Sequence, residues 1–190
     1  MTDDAKHSNP TDQAMTPQLV IRLRAGDSEA GKLLDTLYRE AIIRFCTGYL
    51  GQVERAEDAT QEVFCKVLAT DRVPDNFRAY LYRSARNHCL NVIRDDSRHK
   101  VDKAASPSRL PTAQTGHLTK LVRQEQHSRL AQLVDSLSTG QREALRLRYT
   151  EGLSRGEIAE VLEVAESVVK SRLFEGLKKL REHPSLLTHL

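Results

Sequence analysis

The chain has 190 residues, 39% of them hydrophobic and 29% charged, so it can bury one ordinary core or two small ones and is neither collagen-like, low-complexity nor wholly disordered. Nine glycines and six prolines, with few aromatics, favour helices over turn-rich sheet. A net charge of +3, from 29 basic and 26 acidic residues, does not by itself mark a nucleic-acid binder, and the arrangement of charge has to decide.

Residues 1–15 are polar and aperiodic and read as a disordered N-terminal arm. No apolar run approaches the ~20 residues of a membrane span and the start is no signal peptide, which points to a cytoplasmic protein. Thr16-Pro17 is an N-cap with proline at the first helical position, and Leu19, Val20 and Leu23 follow at helical spacing as far as Ala25-Gly26. From Asp27-Ser28 a long amphipathic helix carries Leu34, Tyr38, Ala41, Ile42, Phe45 and Tyr49 on one side and stops at Gly51. A third helix, from Arg55 to Thr70, has an apolar stripe of Ala59, Val63, Phe64, Val67 and Leu68, with Asp58, Gln61, Glu62 and Lys66 turned away from it. Its start is acidic, with Glu54 and Glu57 beside Asp58. After the loop from Asp71 to Asp75, a fourth helix places Phe77, Leu81, Ala85 and Val92 toward a core and runs to Asp96.

Residues 97–119 are rich in Ala, Ser, Pro and Thr and read as a flexible linker. A helix from Lys120 to Leu137 is followed by two capping boxes, Ser138-Thr139-Gly140-Gln141 and Ser154-Arg155-Gly156-Glu157, the second flanked by Leu153 and Ile158 as a hydrophobic staple. The second box opens a short helix to Leu162, and a new helix begins near Ala165 with Val169, Leu173, Leu177 and Leu180 on one side. Helix, short turn and helix at this spacing predict a helix-turn-helix. The expected fold is therefore all-α: two small helical domains, residues 16–96 and 120–185, joined by a flexible linker.

Two faces carry chemistry. Lys170, Arg172, Lys178, Lys179 and Arg181 make the last helix basic, and a major groove is wide enough for a helix to read base edges. On the fourth helix Arg83, Asn87, Asn91, Arg94 and Arg98 step by three and four and share one face, where guanidiniums suit phosphates and amides suit base edges. Tyr80 and Tyr82 lie near enough in sequence to stack on an unpaired base. Cys46, Cys65 and Cys89 have no metal-ligand spacing and read as reduced thiols. No Gly-rich phosphate loop or nucleophile elbow is present, so neither an enzyme nor a cofactor is expected.

Glu57-Asp58-Ala59-Thr60-Gln61-Glu62-Val63-Phe64, then Phe77-Arg78-Ala79-Tyr80-Leu81-Tyr82-Arg83-Ser84-Ala85-Arg86-Asn87, then Leu153-Ser154 with Glu157-Ile158-Ala159 and Val169-Lys170-Ser171-Arg172-Leu173 resemble, in this order, the extracytoplasmic-function sigma factors of bacterial RNA polymerase. The resemblance implies that Asp58, Gln61 and Glu62 dock on the coiled coil of the beta-prime subunit, with the beta flap as a second polymerase contact. It implies that the face with Asn87 and Asn91, together with residues 69–76, holds the melted non-template strand of the minus-ten promoter element. Ser167, Lys170, Ser171, Arg172 and Phe174 would read the minus-thirty-five element as duplex, although Phe174 fits the core equally well. The resemblance also implies an anti-sigma protein, often membrane-anchored, that holds the factor at the inner membrane, and no small-molecule substrate. The chain departs from the family where Glu163 replaces a common turn glycine, which predicts a local change in the turn, and where Tyr80 replaces tryptophan. A stand-alone helix-turn-helix regulator, with the N-terminal helices as sensor or dimerisation module, explains residues 138–182 equally well.

Overall fold

The computed structural model describes residues 17–69, 74, 76–99 and 136–182. The expected arm 1–15, most of the linker, and the expected helix 120–137 up to residue 135 lie outside the described residues. The helices are α1 (Pro17–Arg24), α2 (Ser28–Leu50), α3 (Val53–Leu68), α4 (Phe77–His99), α5 (Thr139–Tyr149), α6 (Arg155–Leu162) and α7 (Glu166–Arg181). No strand occurs among the described residues. The chain divides into two compact units, an N-terminal one that includes α1–α4 and a C-terminal one that includes α5 and α7.

In the N-terminal unit the boundaries follow local chemistry. The Asp27 carboxylate caps α2 by accepting from the amides of Glu29 and Ala30, and Gly51, left-handed at φ 74, closes the helix onto the Thr47 carbonyl. Arg22 hydrogen-bonds the same carboxylate at 2.8 Å, tying α1 to the cap and holding Asp27 below the usual carboxylate range. Asn76 caps α4, its side-chain oxygen accepting from the Ala79 amide. The core lies where α2, α3 and α4 meet. Leu34, Tyr38, Ile42 and Phe45 from α2 pack with Ala59, Val63 and Val67 from α3 and with Phe77, Leu81 and Ala85 from α4, all of them buried. Phe45 stands edge-on to Tyr49 and to Tyr82, each at 5.2 Å between ring centroids.

Three expectations for this unit change. Tyr82 is a core residue, only 2% exposed, because it lies two positions from Tyr80 and two helical positions turn a side chain by about 200°. Cys89 takes the inner position expected of Val92, which is half-buried. α4 continues through residues 97–99, and the Arg55 guanidinium reaches Asp96 at 2.6 Å, pinning the start of α3 to the last turns of α4.

In the C-terminal unit both capping boxes form: Ser138 with Gln141 opens α5, and Ser154 with Glu157 opens α6. Leu153 and Ile158 are fully buried, as a staple requires. The approach to α6 is braced by Arg148, which is 6% exposed and donates from Nη1 to the Leu153 carbonyl at 3.0 Å. α5 packs closely on α7 because position 176 has no side chain: a Cβ on Gly176 would stand 2.8 Å from Leu145 Cδ1. The turn after α6 is held by Glu163. That residue takes the left-handed conformation itself, at φ 55 and ψ 45, and its amide closes onto the Ala159 carbonyl.

Candidate nucleic-acid interface

α3 buries Ala56, Ala59, Thr60, Val63, Phe64 and Val67, which leaves Glu54, Glu57, Asp58, Gln61 and Glu62 exposed along the opposite side. The acidic face is therefore real as a surface, with Glu54 in the first turn where the helix dipole favours a carboxylate. Cys65 is exposed one turn beyond Gln61 and Glu62.

α4 presents the second face. Asn87, Asn91, Arg94 and Arg98 are exposed, and Arg83 is half-buried. The Arg83 guanidinium lies 5.5 Å from the centre of the Tyr80 ring, so one aromatic of this segment does stand with the polar face. Asp95 lies 3.7 Å from Arg94 and 3.8 Å from Arg98, all three well exposed. Pairs this open are worth at most ~1 kcal/mol and yield readily to a phosphate.

On α7 the buried side is Val169, Leu173 and Gly176. Ser167, Lys170, Ser171 and Phe174 stand exposed at successive intervals of three, one and three residues, which places them in one stripe. Phe174 is 67% exposed, so of its two readings the surface one holds. Arg172 differs from its neighbours: it is half-buried, with its guanidinium against Gly140 in the first turn of α5. Lys179 is also engaged with α5, its Nζ donating to the Ser136 carbonyl at 3.4 Å and to Gln141 Oε1 at 3.3 Å. Lys178 lies 3.8 Å from Glu182. The turn side of the motif is tied by Arg155 and Glu166, 3.6 Å apart, which link the first residues of α6 and α7.

Sequence reading missed Arg148, the contact of Lys179 with α5 and the spatial roles of Gly140 and Gly176. Each depends on a partner that periodicity does not reveal. An arginine followed five residues later by a capping-box leucine was the one local hint, for Arg148.

No helix among the described residues is long and apolar enough to cross a membrane, and no group of acidic, His or Cys residues among them forms a metal cluster. The family model for sigma-70 region 2 matches residues 34–99, and that for sigma-70 region 4 matches residues 127–180. RNA polymerase sigma-H factor of Pseudomonas aeruginosa is 30% identical over 175 residues, which cover 86% of this chain and 91% of that protein. ECF RNA polymerase sigma factor SigW of Bacillus subtilis is 26% identical over 90% of this chain and 97% of its own. The fold matches that of the sigma factor RpoE of Bartonella quintana, solved in complex with the anti-sigma factor NepR, with a TM-score of 0.60 at 24% identity over 80% of this chain and 94% of that one.

The chain belongs to the sigma-70 family, as a sigma factor of the extracytoplasmic-function type. It directs core RNA polymerase to specific promoters and assists melting and initiation. The region 2 match spans all of α3 and α4 and most of α2, the helices that a stand-alone regulator would have used as a sensor, so that alternative is not favoured.

Proposed function

We propose a division of labour among the three faces. The acidic side of α3, through Asp58, Gln61 and Glu62, docks on the beta-prime coiled coil of core polymerase. The polar side of α4, through Arg83, Asn87, Asn91, Arg94 and Arg98, holds the non-template strand of the minus-ten element once it is melted. α7 reads the minus-thirty-five duplex with Ser167, Lys170, Ser171 and Phe174, with Arg172 at the edge of that stripe, while the C-terminal unit also meets the beta flap. Chemistry belongs to the polymerase, so this chain needs no cofactor and no small-molecule substrate. It works in the cytoplasm, and an anti-sigma protein of the kind found with the Bartonella factor covers its polymerase-facing surfaces.

The observation that supports this reading best is the exposure of the α7 stripe: one serine pair, one lysine and one phenylalanine on a single side of the second helix of a helix-turn-helix. The test is titration of the purified protein with bacterial core polymerase, followed by run-off transcription from a random promoter library. Selective initiation from a recurring pair of elements is expected. Initiation without a recurring upstream element would remove α7 from promoter reading.

A further inference from the structure

Gly140 is the second residue of α5, where glycine is disfavoured relative to alanine. The backbone does not require it: the glycines with positive φ are Gly26, Gly51 and Gly152. Space does require it. A Cβ at position 140 would stand 2.8 Å from Cζ, 2.9 Å from Nε and 3.2 Å from Nη1 of Arg172. The guanidinium of the α7 arginine occupies the volume that any other residue at position 140 would fill. Charge does not draw it there, because the N-terminal end of α5 is the positive end of the helix dipole. The berth is defined by the missing side chain.

We propose that Gly140 is a positioning residue for minus-thirty-five recognition, holding Arg172 beside the stripe of Ser167, Lys170, Ser171 and Phe174 so that its guanidinium is pre-set for the duplex. The inference rests on the assignment of α7 as the reading helix. A long arginine loses rotamer freedom when it binds, and a side chain already seated loses less, so the berth converts into affinity. Gly140 and Arg172 are then one unit, although they lie on different helices. Alanine at position 140 evicts the guanidinium. The atoms that must move are the far end of a flexible side chain, and alanine is the better helix former, so the fold is not weakened.

The experiment uses holoenzyme assembled from the full chain and bacterial core polymerase, on the promoter selected from the random library. Gly140→Ala is expected to leave the Tm of the free protein unchanged or higher while promoter affinity falls about tenfold, the order of one lost charge-assisted contact. Arg172→Ala should lose a similar factor, and the double variant should be no weaker than Arg172→Ala alone. Replacing the minus-thirty-five element with unrelated sequence should abolish the difference between parent and Gly140→Ala. Unchanged affinity in Gly140→Ala overturns the proposal, as do losses that multiply in the double variant. A lowered Tm overturns it too, since the glycine would then be a packing requirement. Lys170→Ala separates the two levels: if it and Gly140→Ala are both silent, the assignment of α7 fails, and if Lys170→Ala alone weakens binding, only the role of Gly140 fails.

Discussion

Glu163 holds the left-handed turn between α6 and α7 with a Cβ in place, and it is the one non-glycine residue with positive φ among the described residues. Such a residue costs roughly 1–2 kcal/mol relative to its ordinary conformation. The surrounding capping and packing of α6 over-determine the turn, so the strain is borne rather than relieved. Glu163→Gly should therefore stabilise the C-terminal unit by about 1 kcal/mol, less the extra entropy glycine brings to the unfolded chain. Thermal melting of the two proteins checks this, and an unchanged or lower Tm would show that the turn is unstrained. Sequence alone located this position, since a glutamate where turn glycine is usual was visible, and the structure adds that the glutamate itself takes the left-handed conformation. At Gly176 no local signal was available, and the structure shows that Leu145 needs the room.

The helices were legible where their causes are local. The Asp27 cap, the two capping boxes and the stop at Gly51 all involve residues within a turn or two of each other, and all are present. What was not legible joins distant residues: Arg55 to Asp96, 41 apart, and Lys179 to Gln141, 38 apart. Tyr82 was misplaced because its proximity to Tyr80 in sequence is opposition on the helix. The exposed faces support two expectations. Asp58→Lys with Glu62→Lys reverses charge at two exposed positions of α3, so helix content should hold while core-polymerase binding weakens at least tenfold, as like-charge contact at an interface demands. Binding that survives in a pull-down, with an unchanged helical spectrum, would take α3 out of the polymerase interface. Asn87→Ala with Asn91→Ala should impair promoter opening more than holoenzyme assembly, because both side chains are exposed and both are proposed to hold the melted strand. Permanganate footprints of the open complex measure this, and footprints as strong as the parent's would place the strand elsewhere.

Across the whole chain the basic and acidic residues nearly cancel, at 29 against 26, and the acids are not scattered evenly. Five acidic or amide groups line the exposed side of α3, while the arginines of α4 have Asp95 among them. DNA affinity in the isolated protein is thus held down, since counterion release scales with the number of phosphates neutralised. The free chain should retain promoter duplex only at low salt, and adding core polymerase should restore retention at physiological salt. Gel shifts across a salt series with and without core enzyme test this. Equal retention in both would mean that the chain finds promoters by itself.

The thiols of Cys46 and Cys89 are fully buried while that of Cys65 is exposed, and the sequence holds no other cysteine. Thiol-reactive dyes applied to the native protein will therefore mark a single place, one turn from Gln61 and Glu62 on α3. The molecule carries its own attachment point for a fluorophore on the face assigned to polymerase, so docking can be followed in real time without engineering a cysteine.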